Sequence, residues 1–343
     1  MTSPAMYSGS SNWFERLTGI QEKSPDYVRE NLDLIDGYLV SKANGRKWKP
    51  GRLEMPTLRE LRQRTAEIKP PESATLLGEV VADAVSLHCD EANQGALFQV
   101  ASQFNLLEMV HPDVTPEDGI GGYEHDYTQG PACAIAAGAG TIYRNYLVPL
   151  GGSNGQSGSN QIDCLADIGE RLGNRENQLW EVKNGYVIAS KSGLERVSSL
   201  ISEMNDSDLD EIRALLRVGI QWRTQVTSLD RMQLVSQVYC SALPVGYSAL
   251  SPDLWEPFAR LVLEATYEAT VCAAIENQAR NGHSGLFLTL VGGGAFGNQS
   301  SWILDAISRA ISLYGDSGLD IGIVSHRESK PVILNLIDSF NKT

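Results

Sequence analysis

Four carboxylates and one imidazole fall within ten residues of this 343-residue chain: Glu117, Asp118, Glu124, His125 and Asp126. They lie in Pro116-Glu-Asp-Gly-Ile-Gly-Gly-Tyr-Glu-His-Asp-Tyr-Thr-Gln-Gly-Pro131, where three central glycines would let a turn wrap closely around a ligand. Breaking a glycosidic bond through an oxocarbenium-like transition state needs a carboxylate to activate water or stabilise the cation. A second group often protonates the leaving group, and acids near a guanidinium leaving group also attract it. Taken singly, each residue fits a solvated acidic loop, and His125 fits a surface or packing histidine. As a cluster they fit catalysis or ligand contact.

The second candidate is the loop Gly292-Gly293-Gly294-Ala295-Phe296-Gly297-Asn298, set between an apolar run and a helical one. Glycines admit backbone conformations and close approaches that a Cβ obstructs, and a helix N-terminus points unpaired amides at an anion. The loop formally matches G-x-G-x-x-G, with Asp316 at the spacing of a ribose-binding acid. About 45 residues follow it, too few for the further βα units of a dinucleotide fold. A phosphate loop before a penultimate helix instead fits an α/β/α sandwich whose ligand lies across one sheet edge. The plain alternative is a turn that only packs a helix. A third candidate, Gln103-Phe104-Asn105, follows a buried strand, where polar side chains flanking an aromatic can grip ribose or adenine. A polar strand cap with Phe104 in the core explains the same pattern.

These segments must be carried by alternating elements. Strands are expected at 96–101, 220–226, 238–243, 286–291 and 321–325. Helices are expected at about 74–90, 131–146, 208–218 (N-cap Ser207), 252–280 and after Asn298. Asn44-Gly45 and Asn184-Gly185 read as hairpin turns, and 151–160 as a flexible surface loop. Strands alternating with helices imply a mixed or largely parallel sheet covered on both faces. Residues 1–71 read as a small N-terminal α/β appendage packed on a core of 72–343, with Trp13, Phe14, Leu17 and Ile20 at helical spacing.

Net charge −14 argues against a duplex-binding protein, although backbone amides can still hold a small anion. Five dispersed cysteines without a C-x-x-C pair fit reduced thiols and disfavour a disulfide scaffold or zinc site. The first eleven residues lack the features of a secretion signal, and Glu256, Glu264 and Glu268 interrupt the most apolar helical stretch. The expectation is a cytoplasmic enzyme, the cytosol of a host cell included, with no metal, cofactor, nucleic-acid or membrane partner.

Together the segments resemble the macrodomain superfamily, and within it the atypical branch of ADP-ribosylarginine hydrolases known from bacterial effectors. The resemblance rests on Gln103-Phe-Asn-Leu-Leu-Glu-Met109, Tyr123-Glu-His-Asp-Tyr-Thr-Gln-Gly-Pro-Ala-Cys-Ala134, Gly140-Thr-Ile-Tyr-Arg-Asn-Tyr146, Val291-Gly-Gly-Gly-Ala-Phe-Gly-Asn298 and the lead-in Asn12-Trp-Phe-Glu15. The usual Asn-Ala-Ala-Asn strand ending of macrodomains is absent, and Gln103-Phe104-Asn105 stands in its place. The resemblance implies a three-layer α/β/α macrodomain-like sandwich that removes mono-ADP-ribose from arginine side chains of proteins. It implies catalytic roles for Asp126, Asp118 and Glu117, Asp126 orienting water or stabilising the oxocarbenium while Asp118 or Glu117 holds the guanidinium. ADP-ribose would be bound by Gln103, Phe104, Asn105, Glu124, Thr128, Gln129 and residues 292–298, with Phe296 against the sugar. Two alternatives share this pocket: a reader without turnover, and a hydrolase of poly(ADP-ribose), serine-linked or O-acyl linkages.

Overall fold

The computed structural model describes residues 11–69, 71 and 73–341. Its centre is a seven-stranded sheet built from β1 (Arg52–Glu54), β2 (Leu76–Val81), β3 (Leu97–Ala101), β4 (Gly219–Gln225), β5 (Leu234–Cys240), β6 (Gly285–Leu288) and β7 (Asp320–Ser325). The strand order is β1-β4-β5-β3-β6-β7-β2. Strands β5, β3, β6, β7 and β2 run parallel, whereas β4 is antiparallel to both β1 and β5. The architecture is therefore α/β with a mixed sheet.

Alternation along β3 shows why both faces are covered. Phe98 stacks on His88 of the Ala84–Cys89 helix, with ring centres 3.8 Å apart. Its neighbour Gln99 turns the other way and donates to Thr270 of the Pro252–Asn281 helix at 2.9 Å. That 30-residue helix is buried along most of its length and packs against the Ser300–Leu313 and Leu58–Ala66 helices.

Several expectations need correction. Residues 74–90 do not form one helix: Leu76–Val81 is an edge strand paired in register with β7, and only Ala84–Cys89 is helical. The apolar run 76–81 has no periodicity strong enough to distinguish the two, and a waiting partner strand decides it. The helix expected over 131–146 breaks at Ala137 (φ −113°, ψ 48°) into Gln129–Ala136, Gly138–Ile142 and a π turn at Tyr143–Leu147. The helix expected at 208–218 is Asp206–Arg213, capped by Asn205 rather than Ser207. Strand β5 starts earlier than expected and ends at Cys240, and β6 ends at Leu288.

The division at residue 71 is cut across by the sheet. Arg52–Glu54 is its edge strand, and Leu58–Ala66 packs into the helical layer behind it. Trp13, Phe14, Leu17, Ile20, Val28, Leu39 and Trp48 share one buried cluster with Leu107, Met109, Ile120, Tyr123 and Tyr146. The N-terminal residues are thus part of the wall around the acid-bearing turn; residues 1–10 lie outside the described residues. Both Asn-Gly turns do join short antiparallel strands, Tyr38–Ser41 with Lys47–Trp48 and Trp180–Lys183 with Tyr186–Ala189.

Candidate functional site

In a parallel sheet all strands end on one side, and the loops leaving that side converge. Here β3 leads into residues 102–109, β5 into 241–247 and β6 into 289–298. The last two interlock: Gly246 donates to the Phe296 carbonyl at 2.8 Å, and Asn298 Nδ2 donates to the Leu243 carbonyl at 2.8 Å. A Cβ on Gly246 would lie 2.6 Å from the Ala295 carbonyl oxygen, so only glycine permits this approach.

Gly292 and Gly297, both at positive φ, bracket the glycine turn. The turn closes on itself through Gly293 N to the Leu290 carbonyl, Gly297 N to the Gly294 carbonyl and Asn298 N to the Gly292 carbonyl. Among the described residues no group accepts from the amides of Gly294, Ala295 or Phe296. Gly293, Gly294 and Ala295 are exposed, and a Cβ on Gly294 would meet nothing within 4 Å. The Ser300–Leu313 helix follows with no side-chain cap and no acid in its first turn. Three consecutive unclaimed amides beside an uncapped helix start can hold an anion.

The 102–109 turn is fixed from several directions. Gln103 Oε1 accepts from Met109 N at 2.8 Å, and its amide reaches the Tyr186 hydroxyl at 3.4 Å. Leu106 is held at φ 64°, a left-handed conformation costly for leucine, while its carbonyl accepts from Arg144 Nε at 2.9 Å. Arg144 is fully buried, with its guanidinium 3.6 Å from the Tyr239 ring centre and 3.5 Å from Glu108. Burial pushes the Glu108 carboxyl up to about 7, against the opposing pull of Arg144.

Tyr186, which carried no signal in the sequence beyond following the Asn184-Gly185 turn, joins these parts. It is buried, donates to the Met109 carbonyl at 2.5 Å, and lies 5.3 Å from both the Phe296 and Tyr247 rings. Burial holds its phenol above the ordinary range, with neighbouring Tyr247 and the charge of Asp126 adding to the effect. Asp126 lies just before the Gln129–Ala136 helix, whose first residue is bonded to the end of β3. It is half-buried, and its Oδ1 accepts from Thr128 N at 2.9 Å. Tyr127 beside it is 92% exposed.

Several expected ligand contacts are committed elsewhere. Asn105 is fully buried, donating to Gln161 Oε1 at 2.8 Å and accepting from Leu107 N at 3.1 Å, so it braces the turn instead of reaching a ribose. Phe104 belongs to the core. Gln129 Oε1 accepts from Ala101 N at 2.9 Å and its Nε2 donates to the Gln99 carbonyl at 2.8 Å. It supplies the edge of β3 that β6 stops pairing after Phe98 and Phe287. Glu124 binds Trp13 N at 3.0 Å and Arg16 at 2.9 Å. Glu117 accepts from Gly158 N with both oxygens, tying down the 151–160 loop expected to be free. Asp118 is exposed and caps its own turn through Thr115 N and Oγ1 at 2.8 and 3.0 Å. Thr128 is exposed at the start of the Gln129–Ala136 helix, and Asn298 is buried against Leu243. His125 is exposed on the acid-bearing turn.

A groove of about 490 Å³ lies on the Glu117 side of that turn, lined by Thr115, Gly158, Asp163, Glu181, Lys183 and Asn184. No residue of the glycine turn lines it. Among the described residues no three His, Cys, Asp or Glu side chains are grouped as metal ligands, and no helix is long and apolar enough to cross a membrane.

No family model and no curated protein matches the chain. Among solved structures, it is similar to poly(ADP-ribose) glycohydrolase from Thermomonospora curvata, at 11% identity and TM-score 0.44, over 93% of this chain and 97% of that one. It is also similar to the Deinococcus radiodurans poly(ADP-ribose) glycohydrolase in complex with ADP-ribose, at 11% identity and TM-score 0.41, over 84% and 93% of the two chains.

Proposed function

We propose that the chain binds ADP-ribose along the C-terminal edge of its sheet and hydrolyses it from modified proteins, with arginine-linked mono-ADP-ribose as the substrate. One observation carries this reading: the unclaimed amides of Gly294, Ala295 and Phe296 lie on the loop leaving β6, and Asp126 lies on the turn leading into Gln129, which is bonded to the adjacent end of β3. Main-chain amides can neutralise a pyrophosphate without a cationic side chain, which a chain of net charge −14 accommodates. A ribose extending from that pyrophosphate passes Phe296 and Tyr247 towards Asp126. The Asp126 carboxylate then orients a water and stabilises positive charge on the anomeric carbon as the glycosidic bond breaks. Asp118, exposed on the same turn, attracts the guanidinium leaving group. The arginine linkage rests on the match at Asp126-Tyr-Thr-Gln-Gly-Pro-Ala-Cys-Ala134. Action on proteins in a cytosol belongs to the same proposal.

The test combines titration with ADP-ribose and a panel of defined linkages. Wild type should bind ADP-ribose and release it from ADP-ribosylated arginine. Asp126→Asn should lower kcat by about a hundredfold or more while changing ADP-ribose affinity by less than about threefold. Binding without release from any linkage would make the protein a reader. Release only from serine-linked, O-acyl or poly(ADP-ribose) substrates would move the linkage assignment.

A further inference from the structure

The acid-bearing turn does not hold its own shape. Its middle is fastened by residues 12–22, about a hundred positions earlier in the chain. Glu22 Oε1 accepts from Ile120 N at 2.9 Å and Glu22 Oε2 accepts from Gly121 N at 2.6 Å. The Tyr146 hydroxyl donates to Glu22 Oε1 at 2.5 Å, and Trp13 Nε1 donates to the Ile120 carbonyl at 2.9 Å. The glycines explain why this is possible. A Cβ on Gly119 would lie 2.6 Å from Glu22 Oε2 and one on Gly121 2.7 Å from the same atom, with Asn12 also in its way. Two of the three glycines that seemed made for wrapping a ligand make room for a carboxylate of the protein itself.

We propose that Glu22 is a positioning residue for hydrolysis, setting the turn between Asp118 and Asp126 in its working geometry. The inference rests on the hydrolase reading above. A carboxylate loses hydration when it is packed against protein, so an apolar residue would fill the space at lower cost. An apolar residue could not accept from two successive amides. Charge-assisted bonds to both define the orientation of that peptide pair, and they are stronger than neutral ones. Asp118 lies two residues before Ile120 and Asp126 five after Gly121, so a swing of this pair moves both acids relative to a ribose. Misplacement by about 1 Å can cost about a hundredfold in rate. The amides of the glycine turn lie on another loop, and their hold on the diphosphate does not depend on Glu22.

The experiment is Glu22→Gln in the full chain, read three ways. The amide group keeps the size but offers one acceptor oxygen in place of two. Expected are a fall of about tenfold to a hundredfold in kcat, KM and ADP-ribose Kd within about twofold of wild type, and faster amide exchange at Ile120 and Gly121 with exchange in β3 unchanged. Val28→Ala, in the same N-terminal cluster but making none of the hydrogen bonds that fasten the turn, should lower Tm and leave kcat in place. If Glu22→Gln does not fold, Gly121→Ala should give the same kcat-selective loss. Unchanged exchange at Ile120 and Gly121, or unchanged kcat despite faster exchange, overturns the proposal, as does an equal kcat loss in Val28→Ala. If wild type cleaves no linkage, the hydrolase reading falls by itself, while the exchange data still decide whether Glu22 holds the turn.

Discussion

His88 shows how a single buried polar group constrains this molecule. Its Nδ1–H donates to the Ala84 carbonyl at 2.7 Å, which leaves Nε2 to accept from Gln237 Nε2 at 3.0 Å, so the folded protein holds the neutral ring. Burial pushes its pKa down from 6.5 to about 4, beyond the small opposing effect of the Ala84 contact. Between those values the unfolded chain binds a proton that the folded chain does not, so stability falls as pH drops through this window. The full loss on reaching pH 4 is about 3 kcal/mol. Urea unfolding at pH 7 and pH 5 should show a lower midpoint at pH 5, and His88→Gln should flatten that difference. An equal pH dependence in both proteins would assign the acid sensitivity to other groups. Gln129 and Asn105 teach a related lesson: a polar residue beside a site can be wholly occupied in shaping the backbone that forms it.

At the scale of elements, the glycine turn depends on the loop leaving β5. Gly246 N bonds the Phe296 carbonyl, and a Cβ on Gly297 would lie 3.0 Å from Gly246 N and Cα. Gly246→Ala would force the new methyl against the Ala295 carbonyl, only 2.6 Å from its ideal position. The turn must then shift, and its three free amides with it. ADP-ribose affinity should fall by about tenfold or more, measured by calorimetry, with far-UV dichroism unchanged and a loss of about 1–3 kcal/mol in stability. Unchanged affinity would show that the two loops move independently.

At the scale of the whole molecule, a charge cluster behind the sheet clamps distant parts of the chain. Glu268 is 2% exposed and binds Arg62 at 2.5 and 2.9 Å and Arg309 at 2.6 Å, while Asp210 binds Arg62 from outside. These residues belong to the Leu58–Ala66, Asp206–Arg213, Pro252–Asn281 and Ser300–Leu313 helices. The first lies before the expected domain boundary, and the last begins directly after the glycine turn. Removing only the carboxylate leaves two cations facing a buried position. Glu268→Ala should cost about 3–5 kcal/mol in chemical unfolding, with a single cooperative transition. A second, separate transition would mean that the N-terminal residues unfold alone.

The sequence by itself determined the alternation of strands and helices, the Asn-Gly turns, the long helix from Pro252 and the strand-turn-helix at 285–313. Those follow from local periodicity, turn chemistry and caps, which act over a few residues. It also marked both turns of the candidate site, since clustered acids and clustered glycines are visible without a partner. Only the tertiary structure decided that Leu76–Val81 is a strand, because the choice needed β7 beside it. Only the tertiary structure showed that Gln129 completes β3, that Asn105 and Glu117 brace loops, that Tyr186 packs on Phe296 of the glycine turn, and that Glu22 occupies the space left by Gly119 and Gly121. Each of those contacts joins residues far apart in the chain, and a hydrogen bond across such a separation leaves no periodic trace in either segment.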